Sequence, residues 1–493
     1  MRTSYDVIVV GAGTAGIFFA KRMADAGYSV GVFDLLPEER QGERLGVFHT
    51  DKERLAPFGV PEPHKGDADY ITEFAVGISK SCFDHYPKRT EYPYLVLRFA
   101  PFLKRLRAWA GESGVEFCFA QRFTDFLRDG QGRICGAVFT DAQGQQAEIT
   151  GRLVADCSGI PSAARRKMVN SRVETFEITP RDMFYVILHY VKFKDPEKDC
   201  FSEPPGWLYY KSWLGLTEDP EGFLFGTGAN LSYEYCLACH DAFREKIPAP
   251  AYEEYTESDD GPYRPSYGVG AELGREGYWE RGVTPYHRAP YSLVDDGFIC
   301  MGDSACMTKP FSGEGITSGW VACDIAAQVA ADAMREGAYP TEAALWAYNV
   351  RYAQGQGADF ANLMATLVNA VDCSEAENEY EFSKDIVFSG TSLTRTSRNF
   401  NGDMPLPEVL GLVPKVLAGI ARKGISMQSV RNLGKGILCG MRLKSLYKAY
   451  PTVPSAFAAW AAKADALWTQ AGNMADVVER TDALRKKESS SIA

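Results

Sequence analysis

The sequence lacks most of the features that would place it outside a cell or within a bilayer. Its 12 cysteines are scattered along 493 residues without a regular spacing, which favours reduced thiols over a disulfide framework. It has no run of about 18 apolar residues, so no segment is predicted to span a membrane. The first residues lead directly into a strand pattern, without the h-region and cleavage site of a secretory signal. We therefore expect a cytoplasmic location, with attachment to a membrane surface left open.

Positive charge is also scarce. The chain carries 53 Lys and Arg against 64 Asp and Glu, which is a formal net charge of −11. Binding to nucleic acid needs a basic surface, because cations must replace the counterions of the phosphates. We therefore expect no nucleic-acid partner. The length predicts roughly three domain-sized units, and an aromatic content of 12% suits a pocket for a flat or apolar small molecule.

The N-terminal segment has the pattern of a dinucleotide-binding unit. Residues 6–10 form a nearly continuous apolar run, as a parallel strand covered on both faces requires. A glycine-rich turn over residues 11–16 follows, then a helix pattern to about residue 26 and a second strand over residues 28–33, which ends in Asp34. The segment therefore predicts a complete β-α-β unit.

Several residues of this turn are candidates for binding the dinucleotide. Gly11 allows the tight turn, Gly13 lets the backbone approach a pyrophosphate, and Gly16 permits close packing of helix on strand. The helix N-terminus favours an anion, and Asp34 can accept hydrogen bonds from a ribose hydroxyl. The candidate set is Gly11, Gly13, Thr14, Ala15, Gly16 and Asp34. NAD and FAD both fit this unit, and a turn that binds nothing is the structural alternative.

Two later segments favour FAD over NAD. In the first, the apolar strand at residues 153–156 ends in Asp156 and turns before a predicted helix that carries Arg165 and Arg166. In the second, the apolar strand at residues 297–301 ends at Gly302 and Asp303, where a carboxylate can accept hydrogen bonds from the ribityl chain. The turn that follows opens a long apolar helix over residues 316–334, whose N-terminal dipole would stabilise a reduced flavin. The candidate cofactor-binding residues in this turn and at the start of the helix are Pro310, Gly313, Gly315 and Ile316.

These segments together resemble the p-hydroxybenzoate-hydroxylase-like flavoproteins, and among them the geranylgeranyl reductase family. The resemblance covers residues 5–335 and includes the Pro-x-x-Gly-Glu-Gly-Ile pattern at residues 310–316. It implies that Arg98 lies near the FAD, that Asp303 contacts the ribityl chain and that residues 313–316 hold the isoalloxazine. It also allows NAD(P)H as the external electron donor.

Two departures separate the chain from those reductases. The aromatic strand pattern at residues 206–213 lacks the Phe-Pro that often ends it in the family, and Lys309 stands where a small or acidic residue is usual. Flavin-dependent halogenases also share short pieces with this sequence. Their Trp-x-Trp-x-Ile-Pro signature is absent, and Lys80, which could be compared with their reactive lysine, lies in an alternating pattern typical of a solvated strand residue.

We expect an α/β fold with three parts. A discontinuous, Rossmann-like FAD-binding domain comprises residues 1–173 and 292–340, and residues 131–152 form a β-hairpin within it. An inserted antiparallel β-sheet substrate domain comprises residues 174–291, with strand patterns at residues 183–193 and 222–227 that would cover the isoalloxazine. Residues 341–493 form a helical C-terminal region.

Candidates for catalysis are few. Tyr210 and His287 are possible proton donors at the pocket, and Lys309 places a cation close to the flavin. Each has a structural alternative, since aromatic residues and single histidines usually pack in the core. Further pocket-wall candidates are Trp207, Tyr209, Trp213 and Tyr286.

The pattern Cys236-x-x-Cys239-His240 matches a c-type haem attachment site. It lies in an amphipathic helix pattern in a chain without an export signal, so we expect neither haem nor a metal site.

A basic segment interrupts the acidic chain. No acidic residue lies between Glu408 and Asp465, whereas nine cations do: Lys415, Arg422, Lys423, Arg431, Lys435, Arg442, Lys444, Lys448 and Lys463. Apolar residues alternate with them, so residues 415–463 could contact an anionic membrane surface, a CoA-type ligand or an acidic carrier protein. A solvated helical cap is the alternative without a ligand.

The leading hypothesis is an FAD-dependent enzyme that reduces, or in the reverse direction forms, a carbon-carbon double bond in an apolar or partly anionic small molecule. The first alternative is oxygen activation on the same scaffold, as in a monooxygenase or halogenase. The second alternative is a flavin electron carrier without catalysis of its own.

Overall fold

A computed structural model describes residues 2–43, 46–78, 88–193, 206–210, 213–219, 222–226, 232–244, 252–254, 268–310, 313–370, 374, 377, 380–381, 383–386 and 405–473. Within these residues the chain forms three β-sheets flanked by helices. None of the described helices combines the length and apolarity needed to cross a bilayer.

The strands, in chain order, are β1 (Val7–Val10), β2 (Val30–Phe33), β3 (Val47–Asp51), β4 (Tyr70–Ile78), β5 (Lys88–Arg98), β6 (Glu116–Cys118), β7 (Arg122–Arg128), β8 (Ile134–Thr140), β9 (Gln146–Thr150), β10 (Leu153–Asp156), β11 (Met183–Phe193), β12 (Gly206–Tyr210), β13 (Trp213–Asp219), β14 (Gly222–Gly226), β15 (Tyr252–Glu254), β16 (Tyr278–Pro285), β17 (Val294–Asp295) and β18 (Phe298–Cys300).

The helices are α1 (Thr14–Asp25), α2 (Phe99–Gly111), α3 (Tyr233–Arg244), α4 (Ile316–Ala333), α5 (Glu342–Tyr352), α6 (Ala358–Ala370), α7 (Leu406–Ala421), α8 (Met427–Lys448) and α9 (Phe457–Ala471). Short 3₁₀ turns join several of them, among them Arg165–Lys167 and Gly302–Ala305.

The first sheet contains the predicted dinucleotide-binding unit. Its strand order is β17-β18-β10-β1-β2-β6, and all neighbours are parallel except β17 and β18. Every residue of β1, β2 and β10 is buried, because helices cover both faces of a parallel sheet. The predicted β-α-β unit is thus present, with each element within two residues of its expected bounds.

The second sheet joins strands from two distant parts of the sequence. Its order is β15-β11-β14-β13-β12-β4-β5-β3, and β16, which lies off this path, pairs with residues 183–190 of β11. Strands β3, β4 and β5 come from the segment that the sequence assigns to the FAD-binding domain, yet β4 pairs with β12 in parallel. A division of the chain by sequence segments therefore does not coincide with a division by sheets.

The third sheet is small and extends the predicted hairpin. Strands β7, β8 and β9 pair in order with antiparallel registers. The stacked rings of Phe33 and Phe139, 4.2 Å apart, attach it to the first sheet.

The C-terminal helices share one hydrophobic core with the dinucleotide-binding unit, which includes Val9, Trp320, Trp346, Tyr447 and Trp460. Helix α8 lies directly on α6 because two of its contact residues are glycines. A Cβ at Gly436 would lie 2.8 Å from Cβ of Asn369, and a Cβ at Gly440 would overlap Asn362.

A buried carboxyl group links two neighbouring strands of the second sheet, β11 and β16. The hydroxyl of Tyr190 on β11 donates to Oε2 of Glu280 on β16 over 2.6 Å, and burial raises the pKa of Glu280 to about 7. The folded pKa lies above the ordinary value of 4.5, so the folded protein binds more protons than the unfolded chain between these two values. This group therefore makes folding less favourable as the pH rises through that window.

We expect the free energy of unfolding to fall by about 2 kcal/mol between pH 5 and pH 7.5 on account of Glu280, since one pKa unit corresponds to about 1.4 kcal/mol. The variant Glu280→Gln keeps the shape and the hydrogen bond to Tyr190 but cannot ionise, so its urea unfolding should depend less on pH. Glu148→Gln, at an exposed position of β9, is the control. Equal pH dependence in wild type and Glu280→Gln would contradict the assignment.

Candidate functional site

The glycine-rich turn after β1 is closely packed on one side and open on the other. Gly11 has φ +106°, and a Cβ there would overlap the carbonyl of Cys157. A Cβ at Gly16 would overlap the carbonyl oxygen of Gly11, so helix and strand are in direct backbone contact. At Gly13 a Cβ would meet nothing within 4 Å. The turn therefore leaves open space at Gly13.

This space lies at the N-terminus of α1. The N-cap residue is Gly13, and no side chain caps the helix, so its first amides and its positive dipole end can accept an anion. The carbonyl of Thr14 instead accepts a hydrogen bond of 3.0 Å from the indole of Trp320. These features fit the pyrophosphate of a dinucleotide, as the sequence predicts for Gly13, Thr14 and Ala15.

The three distant turns predicted to bind FAD come together in space. Val10 at the end of β1 is in register with Asp156 at the end of β10, and Asp156 is in register with Cys300 on β18. A Cβ at Gly302, which has φ +70°, would lie 2.8 Å from Cβ of Ala15. The carboxyl ends of the three strands thus form one edge, which is where α/β sheets bind ligands.

Asp156 organises the second turn from within. Its carboxylate is buried and accepts four hydrogen bonds, from the amide and hydroxyl of Ser158 and from the amides of Ala164 and Arg165. Because both carboxylate oxygens of Asp156 accept hydrogen bonds from the chain itself, Asp156 shapes this turn, and its predicted contact with the cofactor stays a prediction.

The helix predicted to carry Arg165 and Arg166 is only the 3₁₀ turn Arg165–Lys167, and that prediction was wrong. The buried guanidinium of Arg165 donates to the carbonyls of Ser304, Glu174 and Phe176. These tertiary contacts hold the segment in an irregular path and join the second turn to the third.

Asp34 lies where the ribose of a dinucleotide is expected. Its carboxylate accepts hydrogen bonds from the amides of Ala12 and Leu36 and from the side chain of Gln41, at 2.7 to 2.9 Å. Asp34 therefore ties the end of β2 to the glycine-rich turn, and it is only partly buried.

Arg107 on α2 is a neighbour that the sequence reasoning missed. Its Nη1 is buried and makes no hydrogen bond within the described residues, and its guanidinium lies 5.6 Å from the ring of Phe119. Burial lowers its pKa, while Glu38 and Asp34 act in the opposite direction. A partly buried guanidinium that is 3.8 Å from Glu38 and keeps Nη1 without a partner in the described part of the chain suits the adenosine end of a dinucleotide, but sequence spacing alone carried no signal for it.

Arg98 is the N-cap residue of α2 and ends β5. Its amide donates to the carbonyl of Asp69, whose carboxylate is held by Arg105 through two hydrogen bonds of 2.6 and 2.8 Å. The partly buried Arg98 thus lies at a firmly anchored strand end, and its position near the FAD stays a prediction.

The third turn presents a carboxylate and a pair of amides. Oδ1 of Asp303 accepts a hydrogen bond of 2.9 Å from Thr308, and burial raises the pKa of Asp303. Within the described residues its other oxygen accepts no hydrogen bond, and neither do the amides of Gly315 and Ile316 donate one. These groups fit the ribityl chain and the pyrimidine edge of a flavin. Pro310 is buried, and Gly313 has φ +68°.

The glycine loop, Asp303 and the start of α4 therefore match an FAD site in both charge and shape. A family model described as an FAD binding domain matches residues 4–212. The chain is an FAD-dependent oxidoreductase.

Known proteins agree with this assignment. The chain is similar to digeranylgeranylglycerophospholipid reductase of Sulfolobus acidocaldarius, at 22% identity over 472 residues, or 94% of this chain and 98% of the relative. The corresponding reductase of Haloferax volcanii is 26% identical over 335 residues, or 64% of this chain and 73% of the relative.

Two solved structures share the fold. A geranylgeranyl bacteriochlorophyll reductase-like protein of Thermoplasma acidophilum has a TM-score of 0.59 at 16% identity, over 86% of this chain and 99% of the other. A flavin-dependent brominase has a TM-score of 0.58 at 17% identity, over 85% and 100%. This likeness shows the Rossmann-like α/β fold, and it extends to reductases and halogenases alike.

A buried charged cluster lies behind the flavin turn of this oxidoreductase. Nζ of Lys309 is 3.3 Å from Oδ2 of Asp51 at the end of β3, and both side chains are fully buried. Thr317 on α4 is 3.2 Å from the same oxygen. Glu314 accepts a hydrogen bond of 2.8 Å from the amide of Thr317 and lies 3.0 Å from its hydroxyl. We name Asp51, Lys309, Glu314 and Thr317 the Lys309 cluster.

The hydrogen bonds of the Lys309 cluster depend on whether Glu314 is protonated. The Thr317 hydroxyl lies close to both Asp51 and Glu314 but has one proton to donate. A protonated Glu314 can donate to Thr317, which then donates to Asp51. Burial and the charge of Asp51 raise the pKa of Glu314 to about 7, against the opposite effect of Lys309. At neutral pH Glu314 is therefore protonated to a greater extent than an ordinary glutamate.

Lys309 also shapes the turn through its backbone. Its amide donates to the carbonyl of Glu314, and its carbonyl accepts from the amide of Gly313. Its ammonium group is directed to Asp51, so the charge is balanced locally. Nearby, burial and the charge of Lys309 lower the pKa of His49 to about 4, against the opposing charge of Asp51.

His287 is the other described candidate for acid-base chemistry. Its Nδ1 is 2.8 Å from the carbonyl of Arg288, and its ring lies 4.2 Å from that of Phe176. Burial lowers its pKa, so the neutral form prevails at pH 7 with the proton on Nδ1. The free Nε2 is then a base. The side chain of Tyr210 lies outside the described residues, as do those of Trp207, Tyr209 and Trp213 and the whole of Lys80.

The second sheet borders the flavin turn with an apolar surface. A Cβ at Gly313 would lie 3.5 Å from Cγ2 of Thr284 on β16. Beside it, Phe184 and Tyr286 have ring centroids 3.9 Å apart and pack with the α6 residues Met364 and Val368. We name these four side chains, Phe184, Tyr286, Met364 and Val368, the apolar wall.

The Cys-x-x-Cys-His pattern has a structural role in α3. The thiol of Cys236 is buried and 3.3 Å from the carbonyl of Tyr185. Nε2 of the buried His240 is 3.0 Å from Nδ1 of His189, so it is not available to a haem iron. No cluster of metal-ligating side chains occurs among the described residues.

Proposed function

We propose that this oxidoreductase reduces carbon-carbon double bonds of an apolar, isoprenoid-type lipid. The observation that carries the proposal is the similarity to digeranylgeranylglycerophospholipid reductase over 94% of this chain. That match reaches beyond the FAD-binding segment into the second sheet and the C-terminal helices, which are the parts that would contact a substrate.

The chemistry of the apolar wall supports the proposal. Phe184, Met364 and Val368 offer no hydrogen-bonding side-chain group, and they lie beside the Thr284 to Gly313 contact. Such a surface favours an alkenyl chain and excludes water from the site.

We assign the residues of the flavin site to separate parts of FAD. The start of α1 and Gly13 would bind the pyrophosphate, Asp34 and Arg107 would hold the adenosine end, and Asp303 would bind the ribityl chain. The amides of Gly315 and Ile316 would stabilise negative charge on the bound flavin. When bound, FAD supplies hydride transfer; NAD(P)H is the electron donor that we propose for its reduction.

The Lys309 cluster is suited to supply a proton. Reduction of a double bond adds a hydride and a proton, and the proton must come from the chain or from water. Glu314, with a pKa of about 7, can hold a proton at neutral pH, and it is the group that we propose to supply the proton. His287, whose pKa is lowered by burial, is mostly unprotonated at neutral pH, so it fits a base in the reverse, dehydrogenating direction.

The proposal can be tested with the protein reduced chemically in the absence of oxygen. Addition of a lipid that carries geranylgeranyl chains should reoxidise the flavin, followed by its absorbance, and mass spectrometry should find a gain of two hydrogens for each double bond reduced. A saturated phytanyl lipid is the control. Turnover that requires oxygen or halide would assign the chain to the monooxygenases or halogenases instead. Unchanged reoxidation with every lipid would favour an electron carrier.

A further inference from the structure

Helix α7 exposes an apolar stripe to solvent. Leu410 and Leu417 are 60% and 61% exposed, and Val413 between them is 49% exposed. Their spacing of three and four residues places them on one face of the helix. A surface helix ordinarily turns its apolar stripe towards the core of the protein. On α7 the apolar stripe faces solvent instead.

Helix α8 repeats the arrangement. Ile437, Leu438 and Met441 are exposed, Met441 by 62%, while Gly436 and Gly440 on the other side pack on α6. Of the exposed large apolar side chains in the described residues, eight lie on these two consecutive helices: Val409, Leu410, Val413, Leu417, Met427, Ile437, Leu438 and Met441.

Cations flank the stripe on α8. Arg431, Lys435 and Arg442 are exposed, and with Leu438 they follow a spacing of three and four residues along one side of the helix. No acidic residue occurs between Glu408 and Asp465. Lys444 is different, because it is paired with Asp359 on α6 over 2.7 Å.

We propose that α7 and α8 bind the surface of a bilayer that contains anionic lipid. We name as the docking face the exposed apolar stripe of α7, which is Leu410, Val413 and Leu417, together with that of α8, which is Ile437, Leu438 and Met441. Arg431, Lys435 and Arg442 lie beside the stripe of α8. Exposed apolar side chains would enter the interface, and the cations would meet lipid phosphates, which is the pattern of interfacial helices. A second copy of the chain fits poorly, since two such faces would bring like charges together.

The docking face and the candidate substrate surface are joined by two packed helices. Helix α8 packs on α6 through Gly436 and Gly440, and Met364 and Val368 on α6 belong to the apolar wall. Each layer of packed helices is about 10 Å thick. Binding to a membrane would thus leave the apolar wall two helix layers from the lipid surface, and the docking itself does not rest on the proposed function.

Vesicle flotation of the full-length, FAD-loaded protein tests the docking face. We expect the protein to float with vesicles of phosphatidylcholine mixed with phosphatidylglycerol, at least tenfold more than with phosphatidylcholine alone, and less at high salt. The variant Leu417→Ser/Met441→Ser should reduce binding in both low and high salt. The variant Arg431→Gln/Lys435→Gln/Arg442→Gln should remove the preference for phosphatidylglycerol.

Val169→Ser is the matched control, because Val169 is 72% exposed and lies far along the chain from these helices. Flavin content and circular dichroism of every variant should match wild type. Equal binding by wild type and both face variants would overturn the proposal, and so would the absence of binding to any vesicle. A concentration-dependent dimer that the Leu417→Ser/Met441→Ser variant abolishes would assign the face to a second copy instead, and saturable binding of an acidic protein without binding to vesicles would assign it to a carrier.

Discussion

The variant Gly13→Asp is expected to fold normally and to lose FAD. A Cβ at Gly13 meets nothing within 4 Å, and the backbone at φ −76° and ψ −179° suits any residue. Aspartate is also a favoured N-cap residue and can stabilise a helix by about 1 kcal/mol. Its carboxylate would occupy the space left for the pyrophosphate and repel it.

We expect the affinity for FAD to fall at least about 100-fold, since roughly 3 kcal/mol of repulsion and lost amide contacts corresponds to this factor. Isothermal titration of the apoprotein with FAD measures the effect, and thermal unfolding of the apoprotein shows that the fold persists. The control is Gly130→Asp, which makes the same change at a turn where a Cβ also meets nothing within 4 Å. A Gly13→Asp protein that purifies with its full flavin content would contradict the placement of the cofactor.

The variant Lys309→Met is expected to lower the free energy of unfolding by about 3 kcal/mol, which is the usual scale when one partner of a buried ion pair is removed. Asp51 would lose its closest cation in a fully buried setting, and Arg54, whose Nε is 3.6 Å from the same oxygen, would compensate only in part. Urea unfolding at saturating FAD measures the loss. Lys104→Met, at an exposed position of α2, is the control.

The double variant Asp51→Asn/Lys309→Met distinguishes charge from packing. Removal of both charges should restore part of the lost stability, because no unpaired charge is left buried. The pH dependence of unfolding should also shift in Lys309→Met, since the pKa of Glu314 rises further once the opposing cation is gone. If the single and double variants are equally unstable, Lys309 contributes through packing rather than through its charge.

The elements with strong local patterns were predictable. The apolar run of β1, the glycine turn and the helix α1 are determined by residues that are neighbours in sequence, and the structure confirms them. The strand pattern at residues 183–193 matches β11, and the helix pattern from residue 316 matches α4 to within one residue. Each of these signals depends on the side-chain period of a strand or a helix, which the sequence carries directly.

Residues whose roles depend on distant partners were not predictable. Arg107 is a candidate because it lies near Asp34, which is on another element. Asp51 is in the same sheet as strands far along the chain. His240 matched a haem motif, but its ring bonds to His189 on β11. Spacing along the chain contains no information about such contacts, because they arise from pairings between strands that are remote in sequence.

The sequence by itself determined the cofactor class of this protein, since glycines at set positions and a carboxylate at the end of β2 suffice to indicate dinucleotide binding. Tertiary structure alone decided that the charge of Lys309 is paired with Asp51 and that the carboxylate of Asp156 bonds to the backbone of its own turn. It also decided that two C-terminal helices expose their apolar sides to solvent. The physical reason is that the charge state and exposure of a side chain depend on what surrounds it in space. Local sequence specifies which residues can form a site, and the packing of distant segments sets the environment in which they act.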